Sequence, residues 1–391
     1  MKTSFHGKLM DACLTLATVS AVFSFASVSR ADDNKYQQVN LVSDLPNVAA
    51  LQDTNLVNAW GISFGPATPF WVSDNGTGLS TLYQVTNNAA GAPQVSKVAL
   101  EVTIPGDGTP TGQAFNGSAA FNGDVFLFVS EDGTVSGWRP ALGTAAETLV
   151  PGSSNTVYKG MTLVTTSNNG PVLLASNFKQ GTVDMYGTNA ALLGQFSDVN
   201  TPGGYAPFGI QAIDGMVFVT FAKQDKFKHD DVAGRGHGLI DVFDPNTGAF
   251  HRFATGTDAV NKHSHNMGID HPIDEINSPW GVALAPDSFG KAGGNLLVGN
   301  FGSGTIMTFD ARGRFRGELE ALHGRSVTID GLWALTFGNG TKSGVTNVLY
   351  FSAGPIHESH GLFGSLQPAE NNHKHHGGHD DRGGDRDQDN D

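Results

Sequence analysis

A unit of four short apolar segments recurs along the whole chain. Its clearest copy, at residues 277–319, reads WGVALA, NLLVGN, GTIMTFD and RFRGEL between polar turns. Further copies begin at Asn58, Asn116, Tyr158, Ala206 and Asp330. The six units average about 56 residues each, close to the period of roughly 40 to 50 residues that is typical of propeller blades. A radial array of small sheets is therefore the first fold to consider.

Each apolar segment has the length of a short strand, and turns such as Asp132-Gly133-Thr134 separate them. The composition agrees, because 51 of 391 residues are glycine and only 15% are charged, against averages of about 7% and 25%. A single four-stranded sheet leaves both faces uncovered, whereas sheets packed radially cover one another. The sequence predicts an all-β, six-bladed β-propeller.

The last unit has three strand-like segments instead of four, namely DGLWALTFG, NVLYFSAG and HGLFGSLQ. A strand-like segment at residues 36–42 precedes the first unit and belongs to no other unit. We therefore expect the amino-terminal strand to pair into the last blade and close the ring. A seven-bladed ring and an open solenoid are the alternatives.

The two ends of the chain do not read as propeller. Lys2 and Lys8 precede an apolar stretch and Ser29-Arg30-Ala31, a pattern typical of an export signal cleaved after Ala31. The apolar stretch is shorter than the roughly 20 residues of a membrane-spanning helix. We therefore expect a signal peptide at 1–31, one propeller domain at 32–368 and a disordered, His- and Asp-rich tail at 369–391. The product is predicted to be periplasmic or extracellular, without a membrane span.

Charge and cysteine content exclude several classes of function. The chain has 23 Lys and Arg against 37 Asp and Glu, a net charge of -14, so a phosphate backbone would be repelled and no nucleic-acid partner is expected. Its one cysteine, Cys13, lies in the predicted signal. We therefore expect no disulfides and no thiolate metal sites. We also expect the protein to be a monomer that binds an unknown protein, glycan or small ligand.

The sequence contains the runs Asn40-Leu41-Val42-Ser43-Asp44, NAWGISFG, FWVSDNGTG, KHDDVAG, GLIDVFD, SPWGVALAP, NLLVGNFGSGT, DGLWALTFGNG and HGLFGSL. These runs resemble those of an uncharacterised family of exported bacterial β-propeller proteins, and the blade pattern more distantly resembles NHL repeats. The resemblance covers nearly all of residues 36–366. It implies a propeller fold and export, and it implies no activity or catalytic residue.

In a propeller of this strand order, the loops between second and third strands and those between blades surround one mouth of the central channel. The candidate binding residues in these loops are Asn58, Asp74, Asn75, Asn116, Glu131, Asn177, Asn300, Asp330 and His357. Their oxygens can form a ring for a hard cation such as Ca²⁺ or Mg²⁺. The alternative is that Asn and Asp occupy these positions because they satisfy turn backbone.

Histidines also concentrate in two long loops, at residues 223–238 and 257–277. We interpret His263, His265 and His271 as candidate ligands for Zn²⁺ or Cu²⁺, with His229 or His237 reaching across from the neighbouring loop. The alternative is that both loops are simply solvated. Whether any divalent metal binds is thus left open by the sequence.

No motif for serine hydrolase, nucleotide, zincin or dinucleotide chemistry occurs in the sequence. Fold alone does not decide function. The favoured interpretation is a non-enzymatic, exported binding scaffold that holds a protein, glycan or small ligand on its loop-bearing face. The alternative is a metal-dependent hydrolase, lactonase or lyase with its site at the channel mouth.

Overall fold

The computed structural model describes residues 35–89, 91–260 and 272–369, which form six β-sheets arranged as the blades of a propeller. The predicted signal peptide lies outside the described residues, as do nearly all of the predicted tail and His263, His265 and His271. Among the described residues, no helix is long and apolar enough to cross a membrane.

The first three blades follow one another along the chain. Blade one contains β3 (Ala59–Ser63), β4 (Phe70–Asp74), β5 (Leu79–Asn87) and β6 (Pro93–Thr103). Blade two contains β7 (Pro110–Phe115), β8 (Phe126–Ser130), β9 (Val135–Trp138) and β10 (Glu147–Val150). Blade three contains β11 (Tyr158–Thr166), β12 (Gly170–Asn177), β13 (Thr182–Tyr186) and β14 (Leu192–Phe196). Within each blade, consecutive strands pair antiparallel.

The remaining blades repeat this order. Blade four contains β15 (Tyr205–Ile213), β16 (Met216–Lys223), β17 (Leu239–Asp244) and β18 (Ala249–Thr255). Blade five contains β19 (Pro279–Leu284), β20 (Leu296–Asn300), β21 (Ile306–Phe309) and β22 (Phe315–Glu318). Blade six contains β24 (Leu332–Phe337), β25 (Leu349–Ala353) and β26 (Leu362–Pro368). Short 3-10 turns occupy Phe121–Gly123, Pro140–Leu142 and Gly290–Ala292. The prediction of an all-β, six-bladed propeller is confirmed.

The amino-terminal strand β1 (Lys35–Ser43) is the fourth strand of blade six. It pairs antiparallel with β26, from Tyr36 opposite Pro368 to Ser43 opposite Leu362. Two short strands, β2 (Leu51–Gln52) and β23 (Glu320–Ala321), pair parallel with the ends of β1. The last blade is thus built from both ends of the described chain.

At one level of the channel, the inner strands of neighbouring blades approach so closely that there is no room for a side chain. Glycines occupy equivalent positions on five inner strands, Gly61, Gly112, Gly160, Gly209 and Gly281. A Cβ at Gly209, for example, would overlap the carbonyl oxygen of Trp280 on the next blade. We call these five residues the glycine ring, and they set the radius of the channel wall.

Substitution of Gly209 by alanine is expected to destabilise the propeller by about 2 to 3 kcal/mol, because the added Cβ meets backbone, which cannot rotate away. Chemical unfolding monitored by tryptophan fluorescence measures this loss. Gly203→Ala is the matched control, since a Cβ there meets nothing within 4 Å. Equal unfolding midpoints in the two variants would contradict the steric role of the glycine ring.

An aromatic cluster fills the middle of the channel. Trp60 stacks on Trp333 with ring centroids 3.7 Å apart, and Phe301 stacks on the other side of Trp333 at 3.9 Å. Phe208 of blade four lies 5.8 Å from Trp333 of blade six, and Trp280 of blade five lies 6.5 Å from Trp60 of blade one. Each of these two pairs joins blades that are not neighbours, so the contacts cross the channel axis. We call these five residues the aromatic plug.

Candidate functional site

Lys159 lies on the aromatic plug at the mouth of the channel, with its side chain only 3% exposed. Lys159 is on the inner strand of blade three, directly before Gly160 of the glycine ring. The residues at the corresponding position in four other blades are aromatic, namely Trp60, Phe208, Trp280 and Trp333. The Nζ of Lys159 donates to Glu131 and, at 3.3 Å, to Oδ1 of Asp230, and it lies 5.2 Å from the centroid of the Trp60 ring. Burial favours the neutral amine, but attraction to Glu131 and Asp230 outweighs it and raises the pKa of Lys159. Lys159 is therefore a fixed ammonium group.

A continuous chain of hydrogen bonds extends from Lys159 back to blade six. Asn75 Nδ2 donates to Glu131 at 3.1 Å, and Asn58 Nδ2 donates to Asn75 Oδ1 at 3.0 Å and to Glu358 Oε2 at 2.8 Å. Trp333 Nε1 donates to Asn58 Oδ1 at 3.0 Å, which ties this chain to the plug. At the other end, His229 Nδ1 lies 2.9 Å from Asp230 Oδ1.

The seven polar residues joined in this way come from blades one, two, three, four and six. They are Asn58, Asn75, Glu131, Lys159, His229, Asp230 and Glu358. We call them the mouth network. Because the members lie far apart in sequence, only closure of the ring brings them into contact.

The loop that carries Glu358 has an unusual backbone. Ile356, His357 and Glu358 all have positive φ, at 57°, 53° and 63°. This left-handed region is unfavourable for residues other than glycine, most of all for a β-branched residue such as isoleucine. The backbone N–H of Ile356 donates to Asp330 Oδ2 at 2.8 Å, which helps to hold the loop. Backbone strain of this kind concentrates at functional sites.

Negative groups outnumber positive ones in the mouth network. Lys159 is its one ammonium, against the carboxyl groups of Glu131, Asp230 and Glu358. Burial raises the pKa of Glu358, although Asn58 and Lys159 act in the opposite direction. Burial also opposes ionisation of Asp230, but attraction to Lys159 prevails and lowers its pKa. The mouth therefore has a net attraction for a cation, which weakens when Glu358 is protonated.

Glu131, His229 and Asp230 can hold a metal ion together. One ligand atom from each lies within 4.8 Å of the others, and mixed His and carboxylate ligands suit Zn²⁺ and other divalent ions. The ammonium of Lys159 contacts both carboxylates. A metal at this position would have to share these oxygens with Lys159 or displace it.

The structure brings three of the predicted mouth residues together, namely Asn58, Asn75 and Glu131. Three others turn into their own blades. Asp74 is fully buried, where burial raises its pKa well above the usual range, and it accepts from the backbone of Thr81 at 3.1 Å. Asn177 contacts Asp184 at 2.9 Å, and Asn300 accepts from the backbone of Asn277 at 3.0 Å. These three fit the alternative that Asn and Asp satisfy turns.

The remaining predicted mouth residues have different positions. The prediction for Asn116 was wrong, because the inner strand of blade two is β7 and Asn116 follows its end, whereas Asn58 precedes β3. Asn116 is thus at the opposite end of the channel, where its Nδ2 donates to the carbonyls of Ala120 and Asp124. Asp330 and His357 are exposed beside the mouth, and Asp330 holds the strained loop.

The two candidate histidines inside the described residues belong to separate groups. His229 is in the mouth network, whereas His237 Nδ1 donates to the carbonyl of Val232 at 2.7 Å and its Nε2 lies 3.5 Å from Asp258 Oδ2. Asp258 also pairs with Lys223 at 2.7 Å. A histidine set that includes both His229 and His237 therefore does not form in this part of the chain.

Three members of the mouth network, Lys159, Asp230 and Glu358, were not among the predicted site residues. For Lys159 the sequence did carry a signal, since a lysine stands where the repeat otherwise favours an aromatic residue. Asp230 and Glu358 lie in irregular loops, where the repeat gives no register. Their position depends on contacts between blades.

The fold and the mouth network define a six-bladed β-propeller with an acidic, lysine-centred channel mouth. The chain belongs to the same family as "Uncharacterized protein R648" of Acanthamoeba polyphaga mimivirus, which is 30% identical over 347 residues, covering 83% of this chain and 78% of that protein. "Uncharacterized protein L690" of the same virus is 28% identical over 345 residues, covering 83% and 84%. No family model matches the chain.

Among solved structures, an auxiliary nutrient binding protein from Bacteroides ovatus superposes with a TM-score of 0.50 at 11% identity, covering 86% of this chain and 78% of that one. At this identity the likeness concerns the fold alone. The sequence relatives named above are viral, so the bacterial and exported character that the resemblance implied stays a prediction.

Proposed function

We propose that this protein is an exported binding propeller whose mouth network holds a positively charged group, either a divalent metal ion or the cationic part of a small ligand. The observation that carries the proposal is the mouth network itself, in which three carboxyl groups from different blades share one ammonium: Glu131 and Asp230 contact Lys159, and Glu358 joins the network through Asn58. Buried charges are costly unless they are paired. A site with surplus carboxylates in a fixed frame is therefore suited to a second cation.

The strained turn at residues 356–358 supports the same proposal. Three successive left-handed residues cost several kcal/mol in total, on the order of 1 to 3 each, and they place Glu358 against Asn58. A turn that served only to connect β25 with β26 would not need this conformation. Positioning the Glu358 carboxyl at the mouth gives the strain a function.

A metal-dependent hydrolase, lactonase or lyase is the second candidate. The observation in its favour is the convergence of Glu131, His229 and Asp230 to within 4.8 Å. A metal held there would act as a Lewis acid and activate bound water. Glu358, whose pKa is raised by burial, would be available to exchange a proton beside it.

Titration of Ca²⁺ and Zn²⁺ into protein comprising residues 32–368 tests cation binding at the mouth without interference from the histidine-rich tail. We expect a dissociation constant below about 0.1 mM for at least one ion, and at least a tenfold loss in His229→Ala/Asp230→Asn. Both side chains are largely exposed, so the variant keeps its fold. His251→Ala, on the exposed face of β18, is the matched control.

Binding should weaken as the pH falls, because protonation removes the negative charge that attracts the cation. Because the pKa of Glu358 is raised, its protonation should weaken cation binding at a higher pH than the protonation of an ordinary glutamate would. In Glu358→Gln this contribution to the pH dependence of binding should disappear. Failure of both ions to bind, or equal affinity in the His229→Ala/Asp230→Asn variant and the control, would refute a metal site. Turnover of lactone or ester substrates only with metal bound would favour the enzyme.

A further inference from the structure

Two carboxyl groups share one guanidinium group at the junction of blades three and four. Arg252 of β18 donates from Nε to Asp241 Oδ1 at 2.5 Å and from Nη2 to Asp198 Oδ2 at 2.9 Å. Asp241 is on β17, and Asp198 belongs to the linker at residues 197–204, which joins the last strand of blade three to the first strand of blade four. We call Asp198, Asp241 and Arg252 the interblade triad.

The interblade triad is almost completely shielded from water. The side chains of Asp241, Asp198 and Arg252 are 0%, 6% and 10% exposed. Alternate residues of a strand share a face, so Asp241 points the same way as Leu239 and Phe243, which belong to the apolar core between blades three and four. The Oδ2 of Asp241 is buried there and has no hydrogen-bond partner among the described residues.

The charges of the interblade triad do not balance. Two ionised carboxylates against one guanidinium leave one excess negative charge, and a buried charge without a partner is costly. Water cannot reach the unpartnered oxygen of Asp241, so solvation does not reduce this cost. One bound proton removes the excess charge and adds no atom larger than hydrogen to a packed interface.

The groups that face Asp241 agree with this account. Its charged neighbours are Arg252 from β18 and Asp198 from the linker. The residue beside it on β16 and the blade-three members of the same core are apolar, and Tyr205 of that core turns its hydroxyl to Asp258 at 2.9 Å. Burial raises the pKa of Asp241 to about 7, with repulsion from Asp198 adding to the rise and attraction to Arg252 opposing it.

We infer that the interblade triad is a pH-sensitive contact, which holds the linker at residues 197–204 while one proton is bound and releases it when that proton is lost. With the proton bound, the triad has no net charge. Without it, two carboxylates repel each other across a single guanidinium. Asp198 is the one that leaves, because Val199 beside it is 91% exposed, whereas Asp241 is in a strand that is paired on both sides.

Release of Asp198 would change the whole linker, because the same carboxylate organises the linker's own turn. Its Oδ1 accepts from the backbone N–H of Asn200 at 2.9 Å, and its Oδ2 accepts from the hydroxyl of Thr201 at 3.4 Å. The turn therefore moves together with the carboxylate. None of these residues belongs to the mouth network, so the inference does not depend on the cation site proposed above.

Hydrogen–deuterium exchange, followed by mass spectrometry on the chain comprising residues 32–391, tests the inference. Exchange at about pH 6 and at about pH 8.5 is compared after correction for the intrinsic pH dependence of amide exchange. We expect protection of the linker amides to fall by about fivefold or more at the higher pH, while the strands on either side stay protected. In Asp241→Asn, which has the shape of the protonated form without its titration, protection should be equal at both pH values.

Urea unfolding gives a second measure of the same proton. The folded protein keeps this proton up to about pH 7, whereas an unfolded aspartate loses it near pH 4. Stability relative to Asp241→Asn should therefore decrease as the pH rises between these values and stay level above them. We expect the unfolding equilibrium constant of the parent, relative to that of the variant, to increase about tenfold or more from about pH 5 to about pH 8.

Two further variants complete the test. Asp198→Asn removes the excess charge from the other side, since an ionised Asp241 then pairs with Arg252 alone, and its linker should show no pH-dependent protection. It also decides the question if Asp241→Asn fails to fold. Asp287→Asn, at an exposed aspartate, is the matched control and should respond to pH as the parent does.

Either of two results would overturn the inference. One is that the linker of the parent is equally protected at both pH values, which would show that the triad does not release it. The other is that the stability of the parent and of Asp241→Asn changes with pH in the same way, which would show that Asp241 binds no proton in this range.

Discussion

Removal of Lys35–Ser43 is expected to abolish cooperative folding of the whole propeller, because this strand completes blade six. It forms a ladder with β26 over seven paired positions, each hydrogen bond contributing about 0.5 to 1.5 kcal/mol net. It also buries Tyr36, Leu41 and Val42 almost completely, at about 1.5 to 3 kcal/mol for each fully buried apolar side chain. The total is comparable with the 5 to 15 kcal/mol by which most proteins are stable.

Thermal unfolding of protein that begins at residue 45 measures this effect against protein that begins at residue 32. The matched control removes residues 370–391, beyond the last described strand, and should leave the unfolding temperature unchanged. Adding a synthetic peptide of residues 32–44 to the truncated protein should restore part of the transition. A truncated protein that melts like the parent would show that β1 does not stabilise the ring.

Replacement of Lys159 by methionine is expected to lower the free energy of unfolding by about 3 kcal/mol at pH 7, because it leaves the carboxylate of Glu131 without its buried partner. Methionine fills a similar volume on the Trp60 ring, so loss of packing contributes little. Urea unfolding followed by circular dichroism measures the change. Cation binding at the mouth should become tighter in this variant, since the competing ammonium is gone.

The double variant Lys159→Met/Glu131→Gln isolates the charge effect, and it should recover most of the lost stability. Lys179→Met, at a half-buried lysine whose Nζ makes a solvent-exposed hydrogen bond to the carbonyl of Ser154, is the control for loss of a surface charge. Because the pKa of Lys159 is raised in the folded protein, its contribution is complete below about pH 10 and is lost as the pH rises through that pKa. Equal stability of Lys159→Met and Lys179→Met would rule out a buried ion pair.

The fold was predictable because it repeats. Short apolar segments in groups of four determine a blade, and six groups allow a closed ring in which every sheet face is covered. The predicted position of the inner strand was wrong in blade two, because the segment that begins at Asn116 resembles the first strand of a blade. The true inner strand there is Pro110–Phe115, in which the usual aromatic residue is replaced by Thr111, so the repeat is hard to see.

The candidate site was only partly predictable. The strand order places the correct loops around the mouth, and Asn58, Asn75 and Glu131 do meet there. Whether a loop side chain points into the channel or back into its own blade depends on backbone torsions and on neighbouring blades. Asn177 and Asn300 occupy loop positions equivalent to those around the mouth, but their side chains turn back into their own blades.

The class of fold, the number of blades and the face on which the loops gather can be read from the sequence alone, because they follow from the period and the alternation of apolar and polar segments. Which charged groups meet depends instead on how the blades pack against one another. Lys159, Asp230 and Glu358 come from blades three, four and six, and their attraction operates over a few ångströms. Contacts of that range between distant parts of a chain exist only after the ring has closed.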